Sequence, residues 1–278
     1  VVVSVPAALS LVAGEFDPVN TATATLLVLF AHIGVSALNV ASDYRRGVDE
    51  DTDPTPFSGG VTTLTSGRAS YATARNIGVA AVAVAVALTL WFARLYDAVE
   101  VAVLVVPGLL TAVAYTDVFT RTGLGELSCG IGLGAIPTLV VFYAQSGALN
   151  SEALLLSVPM FLVCFDLLLL NEFPDIEADT KNGRTNIPIV LGRQYAGYLY
   201  LVVAVATALS LVALVVVYDL PALILLGLVP TALLTGIFRT FLAGEPRITE
   251  TDLLYHTLWA ILTPVLVSAG LVVQWLTV

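Results

Sequence analysis

Seven long stretches of this chain carry no Asp, Glu, Lys or Arg: Pro18–Ser42, Asn76–Ala93, Val101–Thr116, Leu127–Ser151, Gln194–Tyr218, Leu220–Phe238 and Leu253–Val278. Most of them reach or approach the ~20 residues an α-helix needs to cross ~30 Å of hydrocarbon at 1.5 Å per residue. Only 12% of the 278 residues are charged, against roughly 25% in an ordinary soluble domain. No series of short alternating segments is present, which argues against a transmembrane β-barrel.

Two further spans are less clean. Ala153–Leu170 is apolar except for Asp166, and Val1–Gly14 is apolar but too short to cross. Val1–Gly14 reads as the second half of a first helix whose start lies upstream, since no charged n-region or cleavage pattern supports a signal peptide. The expected helices are then 1–14, 20–42, 72–95, 99–117, 126–147, 152–170, 195–217, 220–241 and 253–276. The expectation is an all-α polytopic membrane protein, a single domain over 1–278, with about nine transmembrane helices around a central cavity.

Basic residues fix an expected orientation. Ten of the eleven, all but Arg94, lie in or beside the segments 43–71, 118–125, 171–194 and 239–252, which alternation places on one membrane face. That face is expected to be cytoplasmic, and its two long loops, 43–71 and 171–194, are where function should sit. The net charge is −10, with one Lys, Lys181, among those basic residues. This balance excludes nucleic acid as an expected partner and fits a salt-loving organism. Cys129 and Cys164 both fall in apolar spans and read as small packing residues.

The chain contains a weak internal repeat. Asn39-x3-Asp43 recurs as Asn171-x3-Asp175, each copy ending an apolar helix and opening a long loop. Each is followed by a basic, Gly-containing stretch: Arg45-Arg46-Gly47 and Lys181-Asn182-Gly183-Arg184. Two related halves would face these clusters across a shared cavity. In the first cluster Asn39 and Asp43 share a helix face, and Gly47 can turn the chain so that Asp49 swings back. In the second, Asp175 and Asp179 share a face just after Pro174.

Carboxylates at membrane-helix ends are costly unless paired, solvated or metal-bound. Oxygen ligands without nearby His or Cys favour Mg2+, which takes one or two carboxylates plus substrate phosphate oxygens. Asn39, Asp43, Asp49, Asp175 and Asp179 are the candidate metal ligands. Asn39, Asn171, Arg46, Lys181 and Arg184 are candidates for holding a diphosphate. Glu50, Asp51, Asp53 and Glu177 read as solvated loop acids.

These motifs resemble the UbiA superfamily of intramembrane aromatic prenyltransferases. The resemblance rests on Asn39-x3-Asp43-x3-Gly47-x-Asp49 and Asn171-x3-Asp175-x3-Asp179-x3-Gly183-Arg184-Thr185, and it covers essentially the whole chain. The ten-residue spacing from Asn39 to Asp49 and the run Asn171-Glu-Phe-Pro-Asp175 look most like the menaquinone branch, the 1,4-dihydroxy-2-naphthoate polyprenyltransferases. So does Tyr115 followed by Gly123-Leu124-Gly125-Glu126. The first loop departs from many members: Thr62-Thr63-Leu64-Thr65-Ser66-Gly67 stands where they carry Arg-Pro, and Ser58-Gly59-Gly60 is a candidate replacement phosphate contact. The resemblance implies Mg2+-dependent transfer of a polyprenyl group from its diphosphate to an aromatic quinone precursor. Asp43 and Asp175 would then be catalytic, with Tyr115 as a cavity-lining aromatic for the allylic cation.

His32 and His256 read as structural, and Asp166 as an intramembrane acid that a cavity could solvate. Glu126 could cap the next helix or touch the chemistry. The alternatives are prenyltransferases of the ether-lipid, haem or carotenoid branches and, in another class, a cation-coupled transporter. A transporter would place its acids near the midplane rather than beside basic residues at helix ends.

Overall fold

The structure is a computed structural model and describes residues 1–48, 62–244 and 246–277. Asp49, with the loop acids 50–53 and the Ser58-Gly59-Gly60 turn, lies outside the described residues. Regular structure among the described residues is helical throughout.

The principal helices are α1 (Ser4–Ala13), α2 (Pro18–Arg46), α3 (Tyr71–Leu95), α4 (Ala98–Ala114), α5 (Gly125–Ser146), α6 (Ser151–Asn171), α7 (Arg193–Tyr218), α8 (Ala222–Leu242) and α9 (Glu250–Thr277). Seven are long and apolar enough to cross a membrane, while α1 and α4 are shorter apolar helices. Each lies close to an expected span. The expectation of about nine crossing helices thus meets seven full-length candidates and two short ones.

Local chemistry sets the boundaries. Asp17 caps α2, its carboxylate accepting the Val19 and Asn20 amides at 2.7 and 2.9 Å, with Pro18 at the first helical position. Ser70, Asp97 and Asn150 cap α3, α4 and α6 in the same way. At one end of the bundle the connections are short: 14–17, 96–97, 147–150 and 219–221. At the opposite end, Arg184 pairs with Asp43 of α2, the Thr185 amide donates to the Thr120 carbonyl after α4, and Gln194 at the start of α7 donates to the Phe241 carbonyl of α8.

α2 packs closely on α3, α6 on α7, α8 on α9, and α1 wedges between α9 and α5. Outward-facing side chains are apolar: Val103, Leu209 and Val216 are each more than 60% exposed, as expected for a surface meeting lipid tails. The α5–α6 approach is unusually close. A Cβ on Gly134 would lie 2.3 Å from the Met160 carbonyl oxygen, so only glycine fits there. Gly130–Ala135 is wound as a π-helical segment, a distortion often found beside functional sites.

Candidate active site

α2 carries the first cluster to its C-terminal turns. The helix ends at Gly47, whose φ of 76° is cheap only for glycine. Asn39 Nδ2 donates to Asp43 Oδ2 at 3.0 Å, as their four-residue spacing requires. Thr116, just past α4, donates its hydroxyl to Asn39 Oδ1 at 2.8 Å. Arg46 turns sideways instead, to Asp117 and the Thr116 carbonyl.

α6 carries the second cluster. Asn171 is its last residue, and Asp175 opens the short helix Ile176–Lys181 that presents Asp179. Lys181 ends that helix. Gly183, with φ of 69°, reverses the chain so that Arg184 returns over the same helix, its amide donating to the Asp179 carbonyl at 2.9 Å.

The two clusters meet through Arg184. Its guanidinium donates to Asp179 Oδ1 at 3.3 Å and forms an ion pair with Asp43. Asn186 donates to the other Asp179 oxygen at 2.9 Å. Burial pushes the Asp179 carboxyl up, with Arg184 opposing that shift. For Arg184 burial pulls downward, but Asp43 and Asp179 outweigh it, so the side chain stays charged. Asp43 and Asp179 are only 6% and 5% exposed, so these are paired, buried acids rather than solvated loop residues.

Beneath this cluster lies a cavity of about 650 Å³. Asn39, Asn171 and Tyr115 line it where it approaches the clusters; His32, Val105 and Val140 belong to its otherwise mostly apolar wall. The structure therefore brings together Asn39, Asp43, Asp179 and Arg184, and sets Asn171 and Tyr115 on the adjoining cavity wall. It does not bring Arg46 to Arg184.

Oxygen donors dominate the cluster, a set that suits Mg2+. Among the described residues no three His, Cys, Asp or Glu side chains converge into a ready-made metal cage. Sequence reasoning missed Thr116, Asp117 and Asn186 as partners, because none falls in a repeated motif. Glu172 lies inside the run Asn171–Asp175, whose spacing gives it no distinguishing signal. Its carboxyl lies against the first turn of α5, where a Cβ on Gly125 would stand 3.7 Å from Glu172 Oε1, and burial pushes it well up.

The other weighed residues separate cleanly. His32 lines the cavity. Asp166 and His256 are fully buried away from it, and His256 Nδ1 pairs with the Tyr200 hydroxyl at 2.8 Å. The cysteines are free, and the Cys129 thiol donates to the Cys164 carbonyl at 3.2 Å.

Comparison with known proteins follows the same outline. The fold is similar to an apo UbiA homologue from Aeropyrum pernix K1, with a TM-score of 0.71, 20% identity, and coverage of 98% of this chain and 97% of that one. It is also similar to a structure described as digeranylgeranylglyceryl phosphate synthase, with a TM-score of 0.63, 16% identity and coverage of 97% and 93%. In sequence the chain is 28% identical over 177 residues to the 1,4-dihydroxy-2-naphthoate octaprenyltransferase of Bacillus subtilis (strain 168), covering 60% of this chain and 53% of that protein. It is 29% identical over 133 residues to the Haemophilus influenzae (strain ATCC 51907 / DSM 11121 / KW20 / Rd) enzyme of the same name, covering 43% of each. The aligned region spans about half the length of these curated relatives. The profile of the UbiA prenyltransferase family matches residues 1–261, and the chain belongs to that family.

Proposed function

We propose that this protein transfers a polyprenyl group, within the membrane and with Mg2+, from a prenyl diphosphate to a hydroxylated aromatic acceptor of the naphthoate type. One observation carries the reading. A largely apolar cavity of about 650 Å³ meets, at the end lined by Asn39 and Asn171, a buried carboxylate–guanidinium cluster drawn from both halves of the chain. A prenyl diphosphate is divided in the same way, with an apolar tail and a polyanionic head.

Asn39, Asp43, Asp175 and Asp179 are the residues that would hold Mg2+, joined by Asp49 on the strength of its motif. Bound there, the ion supplies charge neutralisation for the departing diphosphate. The chain's own residues do the rest. Arg184, and by sequence position Lys181, offer donors to phosphate oxygens in a site of low dielectric, where such donors act most strongly. The apolar wall holds the tail and excludes water from the allylic centre. The Tyr115 ring stands at the junction of wall and cluster, where an aromatic face suits a developing allylic cation. The acceptor class is supported by the Asn171–Asp175 motif and by the names of the two curated relatives.

Purified protein in lipid nanodiscs, given Mg2+ and geranylgeranyl diphosphate, is expected to prenylate dihydroxynaphthoate. Product formed on geranylgeranylglyceryl phosphate and none on dihydroxynaphthoate would place the protein in the ether-lipid branch.

A further inference from the structure

The cavity wall is built from helical stripes. On α5 it includes Ser128 and Cys129, and on α6 Leu168 and Asn171. Continued at helical spacing towards the ionic cluster, the stripes reach Glu126, three residues before Cys129, and Glu172, four after Leu168. Glu126 is completely buried. Its Oε1 accepts the Ile187 amide at 2.6 Å, which fixes the carboxyl in place, and its Oε2 has no donor. Glu172 lies against the same first turn of α5, where a Cβ on Gly125 would stand 3.7 Å from its Oε1, and its Oε2 also lacks a donor.

Two more orphaned atoms belong to the same wall. Ser128, only 4% exposed, has a hydroxyl without a partner, and Asn171 Oδ1 has none. Four oxygens able to accept a hydrogen bond therefore go unsatisfied, two on the cavity wall at Ser128 and Asn171 and two on Glu126 and Glu172 beside them in the chain. Buried polar atoms are rarely left so. A prenyl tail has no donor to give them, and a diphosphate carries acceptors only. A hydroxyl-bearing aromatic ring is flat enough for an apolar cleft and supplies O–H donors at its edge.

We propose that Glu126 and Glu172, with Ser128 and Asn171 on the wall beside them, form the subsite that takes the hydroxyl edge of the aromatic acceptor. This rests on the function proposed above and specifies its acceptor site. The Arg184 charge reaches Glu172, which would set the subsite beside the bond that must break. Hydrogen bonds accepted from the hydroxyls would hold the ring edge-on to these carboxyls, its face turned to the allylic carbon. Acceptors lacking the hydroxyl leave the carboxyl oxygens unpaired and are rejected, the strongest form of discrimination a polar site offers. Asn171 can serve both sides, its Nδ2 towards phosphate and its Oδ1 towards the acceptor.

The test is calorimetric and separate from turnover. The full chain in nanodiscs is saturated with Mg2+ and geranylgeranyl thiodiphosphate, an unreactive analogue, then titrated with 1,4-dihydroxy-2-naphthoate or hydroxyl-free 2-naphthoate. Wild type should bind the dihydroxy compound more tightly. Glu126→Gln and Glu172→Gln should each weaken that compound by about tenfold or more, the scale of one hydrogen bond to a charged group. Binding of 2-naphthoate and of the thiodiphosphate should stay unchanged, which a merely structural role would not give. Equal loss for both naphthoates, no loss for either, or no binding of dihydroxynaphthoate to wild type would overturn the subsite. If the Gln variants do not fold, equal affinity of wild type for the two naphthoates overturns it, and Ser128→Ala supplies the second variant. The expected binding pattern without any prenyl transfer would leave the subsite standing and overturn the function.

Discussion

Asp43 sits where two demands meet: it is paired with Arg184 in this structure and is a proposed metal ligand. Its place at a helix end beside a long loop suggests a solvated acid whose loss would scarcely affect packing. Its burial at 6% exposure and the ion pair reverse that expectation. Asp43→Ala should therefore lower thermal stability by about 1–3 kcal/mol, because Arg184 is left short of a buried partner. Asp43→Asn keeps an acceptor oxygen and should melt close to wild type. Turnover should still fall by about 10²–10³-fold in the Asn variant, the scale seen when one electrostatic contact to a transition state is removed. Melting curves and initial rates on the same preparations check both halves; an Asn variant with wild-type turnover would remove Asp43 from the metal site. The spacing of Asn39 and Asp43 was legible because helical geometry alone puts them together. The Arg184 bridge was not, since 141 residues separate it from Asp43. Nor was the Glu126–Glu172 pair, which depends on how closely the first turn of α5 approaches the end of α6.

At the scale of elements, most of the fold was readable. Most helix cores are apolar runs, broken in α6 by Asp166, and several boundaries have a polar cap or a glycine, as at Asp17, Asn150 and Gly47. Less readable was how helices pack. Gly130 and Gly134 look like ordinary small residues in sequence, yet they allow the π-wound part of α5 to sit against the α6 backbone. The ion pair between Asp43 and Arg184 also places the connections after α2 and after α6 at the same end of the bundle. The ten-to-one bias of basic residues leads us to propose that this end is cytoplasmic. Ser66→Cys and Thr180→Cys, both at exposed positions, should react with an impermeant maleimide only in inside-out vesicles. Leu149→Cys, in a short connection at the other end, should react in intact cells. Labelling of Ser66→Cys or Thr180→Cys from outside intact cells would invert the topology and the placement of the site.

For the whole molecule, the repeated clusters tie the first half of the chain to the second. Arg184 makes such a tie, reaching from the segment after α6 to Asp43 at the end of α2 and to Asp179 beside it. A metal-bound diphosphate would draw on the same acids and give Arg184 new oxygen partners, so binding should strengthen the link between halves. A ligand that binds only the folded state stabilises it by about 2.7 kcal/mol at a hundred times its Kd. Mg2+ and geranylgeranyl thiodiphosphate together should therefore raise the melting temperature well beyond either alone, because each completes the other's coordination. A chelator added to that mixture should return the melting temperature to that of the diphosphate analogue alone, and fresh Mg2+ should restore the shift. Asp175→Asn, at the second cluster, should remove most of the combined effect as Asp43→Asn does at the first, since half a clamp leaves the diphosphate charge poorly neutralised. Each variant retains the other cluster intact, so a full combined shift in either would mean that the two halves do not share one ligand.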